Sequence, residues 1–574
     1  MMYCQYSLVK NLSLMINLFI TFIFLATLLL QPVVIDSRHF SDTAFLANLG
    51  WRGVNGFFPV IDYPHFYGGM TTSFITWSFH IFGVSYHSIN YAFVMIFCAL
   101  IIVLWFLGWE RLSKERLSLL TVLAAALILS LTPIELGRIS YPQQAHSFVY
   151  NHAGIVLMIS LTLFSLVKAK SKWLEIVSSL IAGLLIYCLI LIKTVFGVFA
   201  PFLFLALMLQ RRWSSSALTA VGMVLAMSLM DPGLTRAFDS LELLMASTAA
   251  STVSSTQIFI DRIVQIISQQ VFAILIGFTF LFTLYVRIGH PAFALILSVL
   301  LCTVGYVGAL IAMGGVADYK LLPMLIVVVL VVADTLLTRC KFQLLAQQNA
   351  NVSRKAFPKP DQIFIATIPI VMTYSLVLPA AVSASATFVH SINYHSASLI
   401  SSGPVAKYVV RGQAIGTMPD MASSIALTNA AIDKMQSLGP RPAHFNVSIE
   451  FDASMEYVML ADGMKLLRQI PNIETYGIVS NGIIFDFSLP LMSPPVISFP
   501  VWPTDNLEYF TNSRPLDDDI DLVMISRDIP NLGLFSDRLF HKMKDDFIRC
   551  GNSTIWTLYV RKTLTTVPCW AMEY

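Results

Sequence analysis

The chain has 574 residues, of which 56% are hydrophobic and only 12% are charged, and its mean hydropathy is +0.72. Soluble proteins carry about 25% charged residues, so this composition excludes an ordinary soluble protein and indicates a polytopic membrane protein. The net charge of +3 is small for a chain of this length, which argues against a nucleic-acid partner.

Apolar segments recur along the first two thirds of the chain. A transmembrane helix needs about 20 mostly apolar residues, and we place about eleven such segments, some of them short for that length. They are residues 12–34, 87–107, 119–133, 153–167, 174–192, 196–209, 217–230, 263–286, 292–313, 321–337 and 363–382. Residues 174–210 could also form one long kinked element. We divide it at Lys193 because only then do the charged loops alternate.

The distribution of Lys and Arg predicts the orientation. Fifteen of these cations fall in one set of alternating loops and seven in the other, although the second set is longer in total. The positive-inside rule then puts the N-terminus in the cytoplasm and the C-terminal region outside. We expect a multi-pass protein of a bacterial inner membrane, with residues 12–34 retained as a first span because no A-x-A cleavage site follows them.

Hydrophobic density falls after the last predicted span. We therefore predict a transmembrane module over residues 1–383, with outer loops at 36–86 and 134–152, and an extracytoplasmic α/β domain over 384–574. In that domain the patterns predict helices at 420–438, 456–470 and 534–547 and strands at 444–449, 482–487, 520–526 and 554–560. Outer compartments are oxidising, so a disulfide between Cys550 and Cys569 is expected.

Asp36 directly follows the first apolar span. A carboxylate at the membrane–water interface can be hydrated and still face a substrate whose lipid part stays in the membrane. Such a carboxylate can take a proton from a hydroxyl nucleophile. The alternative is that Asp36 caps an amphipathic helix predicted over residues 37–49. Position alone favours capping slightly over catalysis.

Further motifs follow Asp36 in a defined order. They are Asp62-Tyr63-Pro64-His65-Phe66, then Phe82-Gly83 and, much later, the segment 317–323, whose sequence is ADYKLLP. In this order the chain resembles the GT-C glycosyltransferases, in particular the branch with the protein O-mannosyltransferases and the lipid A aminoarabinose transferase. It departs from that pattern in two places, with Asp36-Ser37 in place of Asp-Glu and with His65 in place of a second proline.

The resemblance implies a reaction and assigns roles to charged residues. It implies transfer of a sugar, with inversion, from a polyprenyl-phosphate donor to a hydroxyl of a glycan, lipid or protein acceptor, with Asp36 as the general base. Lys320, Lys193 and Arg138 lie at predicted outer helix ends, where fixed cations can neutralise the departing lipid phosphate. Each of these cations could instead lift its charge to the membrane interface by snorkelling.

Polar residues near these cations are candidates for substrate binding. We include Asp62, Tyr63, His65 and Tyr319 from the motifs, and His146 and His152 from the loop 141–152. That loop is equally compatible with an ordinary aromatic belt at the interface. A divalent metal is possible, but Asp36 and Asp62 alone form no recognisable ligand set, and no other cofactor is assigned.

Two other classes of function remain open. A flippase or transporter of lipid-linked sugars would share the spans and the basic inner loops, but it predicts inverted repeats and ionisable residues near the bilayer midplane. A non-catalytic scaffold would leave a lysine within an apolar stretch unexplained. The polar residues collect at outer helix ends, and this asymmetry favours the enzyme.

Overall fold

The computed structural model describes residues 2–30, 34–36, 40–56, 69–131, 148–231, 255–312, 321–348, 360–393, 409–411, 463, 466–467, 470, 476–479, 521–526, 546–552 and 556–564. Most of these residues belong to long helices. In chain order the helices are α1 (Met2–Leu30), α2 (Phe40–Val54), α3 (Gly69–Phe82), α4 (Tyr86–Gly108), α5 (Lys114–Leu129), α6 (Phe148–Leu166), α7 (Lys172–Ile192), α8 (Phe199–Leu209), α9 (Trp213–Met230), α10 (Ser255–Ile288), α11 (Phe293–Ala312), α12 (Leu321–Gln348) and α13 (Pro360–Asn393).

The helices confirm a polytopic helical membrane protein. Each of the apolar segments predicted from the sequence falls on one of them. Within the described residues, 8 helices are long and apolar enough to cross a membrane, and Thr194–Leu209 and Leu321–Leu337 are shorter apolar helices. The predicted count of eleven spans therefore stays a prediction.

The centre of the bundle consists of helices that are buried on all sides. Every residue from Leu117 to Leu129 in α5 is buried, and the span Val149–Leu166 of α6 is 94% buried. By contrast, Trp213–Met230 and Gln270–Ile288 are each only 22% buried. Helices that are apolar all round belong in the interior, whereas α9 and α10 present much of their apolar surface outward, as lipid-facing helices do.

A buried ionic cluster joins several helices at one end of the bundle, which we call the arginine end. The Glu175 carboxylate of α7 accepts hydrogen bonds from Arg111 Nη2 at 2.8 Å, Arg212 Nε at 3.0 Å and Ser215 Oγ at 2.7 Å. Both guanidinium groups also lie over the Phe164 ring of α6, at 5.2 and 5.0 Å from its centroid. Burial lowers the pKa of Arg111 to about 10, so its guanidinium group stays charged at neutral pH. The cluster thus ties α6, α7 and the residues that flank α4 and α9 together.

Helices α7 and α9 approach each other until their backbones touch. A Cβ atom on Gly183 would lie 2.0 Å from the Thr219 carbonyl oxygen, and one on Gly222 would lie 2.1 Å from that of Leu180. Small residues allow such close helix packing inside a membrane, where apolar burial alone gives helices no reason to associate. The two helices therefore behave as one rigid pair.

Two helices of the first predicted outer loop lie across the opposite end of the bundle. The amphipathic helix predicted over 37–49 is present as α2, and it packs on α3, which the sequence analysis did not predict. A Cβ atom on Gly53 of α2 would lie 2.0 Å from Thr76 Oγ1 of α3. The Phe82-Gly83 motif is a turn, since α3 ends at Phe82 and Gly83 has φ +83°, a conformation that glycine adopts freely.

The C-terminal region contains a four-stranded mixed sheet. Its strands are β3 (Tyr476–Val479), β4 (Leu522–Ser526), β5 (Phe547–Asn552) and β6 (Trp556–Arg561), in the order β3-β4-β6-β5, and only β3 and β4 are parallel. The sequence predicted β4 and β6, but its helix 534–547 runs into Phe547, which begins β5. Cys550 in β5 is disulfide-bonded.

Other predictions for this region are tested in part or not at all. Gly463, Leu466 and Leu467 are helical, as expected for the helix 456–470. The helix 420–438, the strands 444–449 and 482–487, and Cys569 lie outside the described residues.

Candidate functional site

Asp36 lies on a short strand that pairs with a distant segment of the chain. Strand β1 (Val34–Asp36) pairs in parallel with β2 (Val409–Arg411), which follows the last long helix, and Asp36 is in register with Arg411. Helix α2 begins only at Phe40. Residues 37–39 and the side chain of Asp36 lie outside the described part of the chain, so catalysis and helix capping both stay predictions for Asp36. We call this end of the bundle the β1 end.

A buried polar pair stabilises the side of α2 that follows this strand. Asn48 and Arg52 are 2% and 5% exposed, and Arg52 Nε donates a hydrogen bond to Asn48 Oδ1 at 3.3 Å. Because α2 also contacts β1 and packs closely on α3, the strand that carries Asp36 rests on a rigid helical layer.

Helix α3 connects this layer to α7. Its second residue, Met70, packs against a small buried cluster of Tyr187 and Leu191 from α7 and Ala226 from α9. The motif Asp62–Phe66 precedes α3 in the chain, so the element that follows the motif contacts the last two turns of α7. The β1 end thus contains the end of α1, the α2–α3 layer and the ends of α7 and α9.

Lys193 is the predicted phosphate-binding cation that the structure describes. It terminates α7 in an extended conformation, and its N–H group donates to the Leu189 carbonyl at 3.2 Å. This confirms the division of the apolar stretch 174–210 at Lys193. Its Nζ lies 5.4 Å from the centroid of the Tyr150 ring, in the first turn of α6, and the half-buried candidate His152 lies two residues further along that helix. The structure therefore brings two sequence-predicted residues, Lys193 and His152, to adjacent helix ends.

Asp231 is an acidic residue of the β1 end that the sequence analysis missed. It follows the last residue of α9, is 1% exposed, and accepts a hydrogen bond at 2.8 Å from the hydroxyl of Tyr187, which is fully buried. The signal was present in the sequence, since Asp231 stands directly after an apolar span and before Pro232-Gly233. Asp36 was selected as a candidate because it likewise directly follows an apolar span.

The remaining candidates lie outside the described residues. They are Asp62, Tyr63, His65, Arg138, His146, Tyr319 and Lys320, and the side chain of Asp36 is likewise not described. Among the described side chains, no group of three or more His, Cys, Asp and Glu residues could hold a metal ion. The predicted roles of these residues stay predictions.

An apolar groove lies between α10, α11 and α12. The cavity has a volume of about 250 Å³ and is lined by side chains such as Ile267 and Phe278 from α10, Val307 from α11 and Leu321 from α12. Its one hydroxyl-bearing residue, Thr303, donates to the Val299 carbonyl at 2.9 Å. The groove is therefore suited to hydrocarbon, and one of its lining residues, Leu321, is the neighbour of Lys320 in the chain.

Sequence comparisons give no relatives for this chain: no family model matches it, and no curated protein matches it. Solved structures do match. The chain is similar to the crystal structure of ArnT from Cupriavidus metallidurans bound to undecaprenyl phosphate, with 12% identity, a TM-score of 0.42, and coverage of 96% of this chain and 98% of that one. It is also similar to ArnT from the same organism in the apo state, with 11% identity, a TM-score of 0.40, and coverage of 98% and 99%.

Proposed function

We propose that this protein is a membrane glycosyltransferase of the GT-C type that moves a sugar from a polyprenyl-phosphate donor to an acceptor hydroxyl. The observation that supports the proposal is that the strand carrying Asp36 and the helix end carrying Lys193 are connected through one helical layer of an apolar bundle. The strand with Asp36 rests on α2, α2 packs on α3, and α3 contacts α7 two turns or less before Lys193. A lipid-linked substrate lies at this kind of boundary, with its prenyl chain in the bilayer and its sugar in water.

The two charges have complementary chemical roles in the proposed reaction. The Asp36 carboxylate takes the proton of the acceptor hydroxyl, and the acceptor oxygen attacks the anomeric carbon as the bond from that carbon to the phosphate oxygen breaks. Lys193 faces the negative charge that then collects on the leaving polyprenyl phosphate. Attack opposite to the leaving group inverts the anomeric configuration.

The surroundings of Lys193 favour this role over simple snorkelling. A snorkelling lysine extends its amine into bulk water, whereas Lys193 is half-buried and its amine lies over the Tyr150 ring. Such a contact removes the amine partly from water, which strengthens the attraction of a cation to a phosphate. The apolar groove offers space for part of a prenyl chain, and we propose that the β1 end is extracytoplasmic, as the positive-inside rule predicts.

Reconstituted full-length protein tests the proposal directly. The protein in lipid nanodiscs is incubated with a panel of polyprenyl-phosphate sugars and candidate glycan, lipid and protein acceptors, and release of the free carrier phosphate is followed by mass spectrometry. We expect release with at least one donor, and at least a hundredfold loss in Asp36→Asn. Asp334→Asn is the matched control, because Asp334 pairs with Arg116 and lies on α12 far from β1 in the chain.

Three outcomes have distinct meanings. Release that persists in Asp36→Asn removes Asp36 from the mechanism. Movement of the intact donor between leaflets, with no release, supports the flippase alternative. Release that stops with EDTA and returns with a divalent cation adds a metal to the site.

A further inference from the structure

The hydrogen bond between Tyr187 and Asp231 is a deeply buried contact between two ionisable side chains at the β1 end. Tyr187 is 0% exposed and Asp231 is 1% exposed, and 2.8 Å separates the hydroxyl from Oδ2. An ionisable side chain buried at a span end is costly unless it is paired and useful. Neither residue can touch a bound donor directly, because neither is accessible, so any role in the reaction must act through another residue.

The position of this pair on α7 identifies that residue as Lys193. Tyr187 lies one turn beyond Gly183, on the same face of the helix, and Gly183 is where α7 and α9 touch. Only the C-terminal end of α7 lies between Tyr187 and Lys193, where the backbone becomes extended. The final turn of a helix lacks part of its backbone hydrogen bonding and frays readily. A side-chain hydrogen bond close to that turn therefore fixes the position of the terminal residue.

Two further contacts converge on the same segment. The Lys193 amine lies over Tyr150, which is itself only 7% exposed. Met70 of α3 packs against Tyr187 and Leu191, so the pair also supports the layer that leads back to Asp36. A small displacement of the end of α7 would therefore move Lys193 relative to both α6 and α3.

We propose that Tyr187 and Asp231 are positioning residues: their hydrogen bond holds the end of α7 so that the Lys193 ammonium stands where the donor phosphate binds. This inference rests on the proposed function. The hydrogen bond, and not the charge of Asp231, has this role, because the bond fixes the position of the end of α7.

Four variants of the full-length protein in nanodiscs separate these contributions. Tyr187→Phe removes the hydroxyl but keeps the ring, Asp231→Ala removes the acceptor, and Asp231→Asn keeps an acceptor oxygen without the charge. Tyr374→Phe is the matched control, because it removes another tyrosine hydroxyl that bonds a side chain of a neighbouring span, Asn17 Oδ1 at 2.6 Å. Two quantities are measured: the donor KM against kcat, and the rate at which acetic anhydride acylates Lys193, resolved by peptide mass spectrometry.

We expect Tyr187→Phe and Asp231→Ala to raise the donor KM roughly tenfold, the loss expected for one ordinary hydrogen bond. The acceptor KM should not change, and acylation of Lys193 should become several-fold faster as its amine leaves the Tyr150 ring. Asp231→Asn and Tyr374→Phe should behave like the wild type in both measurements.

The proposal is overturned if Tyr187→Phe matches Tyr374→Phe in donor KM and in Lys193 acylation, or if Asp231→Asn is as impaired as Asp231→Ala. A wild-type protein that transfers no sugar from any donor refutes the proposed function instead. The acylation rates then still decide whether the pair positions Lys193.

Discussion

Replacing Glu175 with Gln should destabilise the protein more than any other isosteric change at the arginine end. The carboxylate accepts at both oxygens: Arg212 and Ser215 donate to Oε1, and Arg111 and the Ala169 N–H donate to Oε2 at 2.8 and 3.0 Å. An amide has one acceptor atom and one donor atom in the same space. Whichever way the Gln side chain turns, its NH₂ group faces donors, and two buried guanidinium groups lose their counter-charge.

The structure sets the size of this effect. The side chains of Arg111, Arg212 and Glu175 are 0%, 5% and 9% exposed, so water cannot replace the lost partner. Breaking a buried ion pair by removing one partner costs about 3–5 kcal/mol. At about 2 °C per kcal/mol for a large domain, Glu175→Gln should lower the unfolding midpoint by about 6–10 °C.

Thermal unfolding of detergent-solubilised protein, followed by fluorescence-detected size exclusion, measures this shift. Asp334→Asn is the control, because its ion pair with Arg116 is 14% and 32% exposed, and exposed pairs contribute about 0–1 kcal/mol. The control should shift the midpoint by about 2 °C or less. If Glu175→Gln loses no more than the control, the cluster does not hold the helices together and the reasoning from burial is refuted.

Three further changes test the packing of the bundle. Gly183→Leu should abolish the yield of folded protein in the membrane, because its Cβ atom would lie 2.0 Å from the Thr219 carbonyl oxygen. Gly197→Ala should be tolerated, because the nearest atom to its Cβ would be 3.2 Å away. Expression of each variant as a fluorescent fusion compares the two yields. Gly53→Ala should separate α2 from α3 and reduce sugar transfer while the membrane-inserted yield stays normal, and a yield that falls with activity would contradict this. Asn17→Leu should lower the unfolding midpoint by about 2–6 °C, because Tyr374 Oη and Ser118 Oγ both lose this hydrogen-bond partner at a cost of about 1–3 kcal/mol. Differential scanning fluorimetry measures the midpoint. An unchanged value would show that the link between α1, α5 and α13 is dispensable.

The spans were predictable because a bilayer imposes a strong and local requirement on the sequence. A run of apolar residues is a sufficient signal for a helix, and a lysine inside such a run is costly enough to mark its end, as Lys193 does. The turn at Gly83 was expected only from the family resemblance, but a local signal accompanies it, since a glycine before a serine cap ends one helix and begins the next. Ser85 indeed accepts a hydrogen bond from the Ser88 N–H at the start of α4.

Helix α3 escaped prediction because its pattern mixes two signals. Thr71, Thr72 and Ser78 are polar, yet the structure buries them together with Ile75 and Phe79. Small hydroxyl side chains can be buried in a helix because they bond to the backbone carbonyl four residues earlier, and Thr76 does so with Thr72 at 3.0 Å. A sequence reading that treats hydroxyl residues as exposed therefore places this segment in a loop.

Contacts between distant parts of the chain could not be predicted at all. The pairing of Asp36 with Arg411 joins strands of three residues each, too short for periodicity to reveal. The sequence analysis likewise counted Arg111 and Arg212 only as positive-inside charges, and no local pattern shows that they share one carboxylate of a third helix end. The site at the β1 end depends on the same kind of contact, namely α3 against α7 and α7 against α9.

The described cations at the arginine end are occupied in holding the bundle together. At the arginine end, Arg111 donates from Nε to the Val167 carbonyl and from Nη1 to the Leu107 carbonyl, both at 2.8 Å, and from Nη2 to Glu175. A guanidinium whose donors all hold backbone and side-chain acceptors of other helix ends cannot also bind a phosphate without unfolding its surroundings. The abundance of cations at the arginine end therefore indicates assembly and orientation, and the proposal for the reaction stays with the lysine at the end of α7.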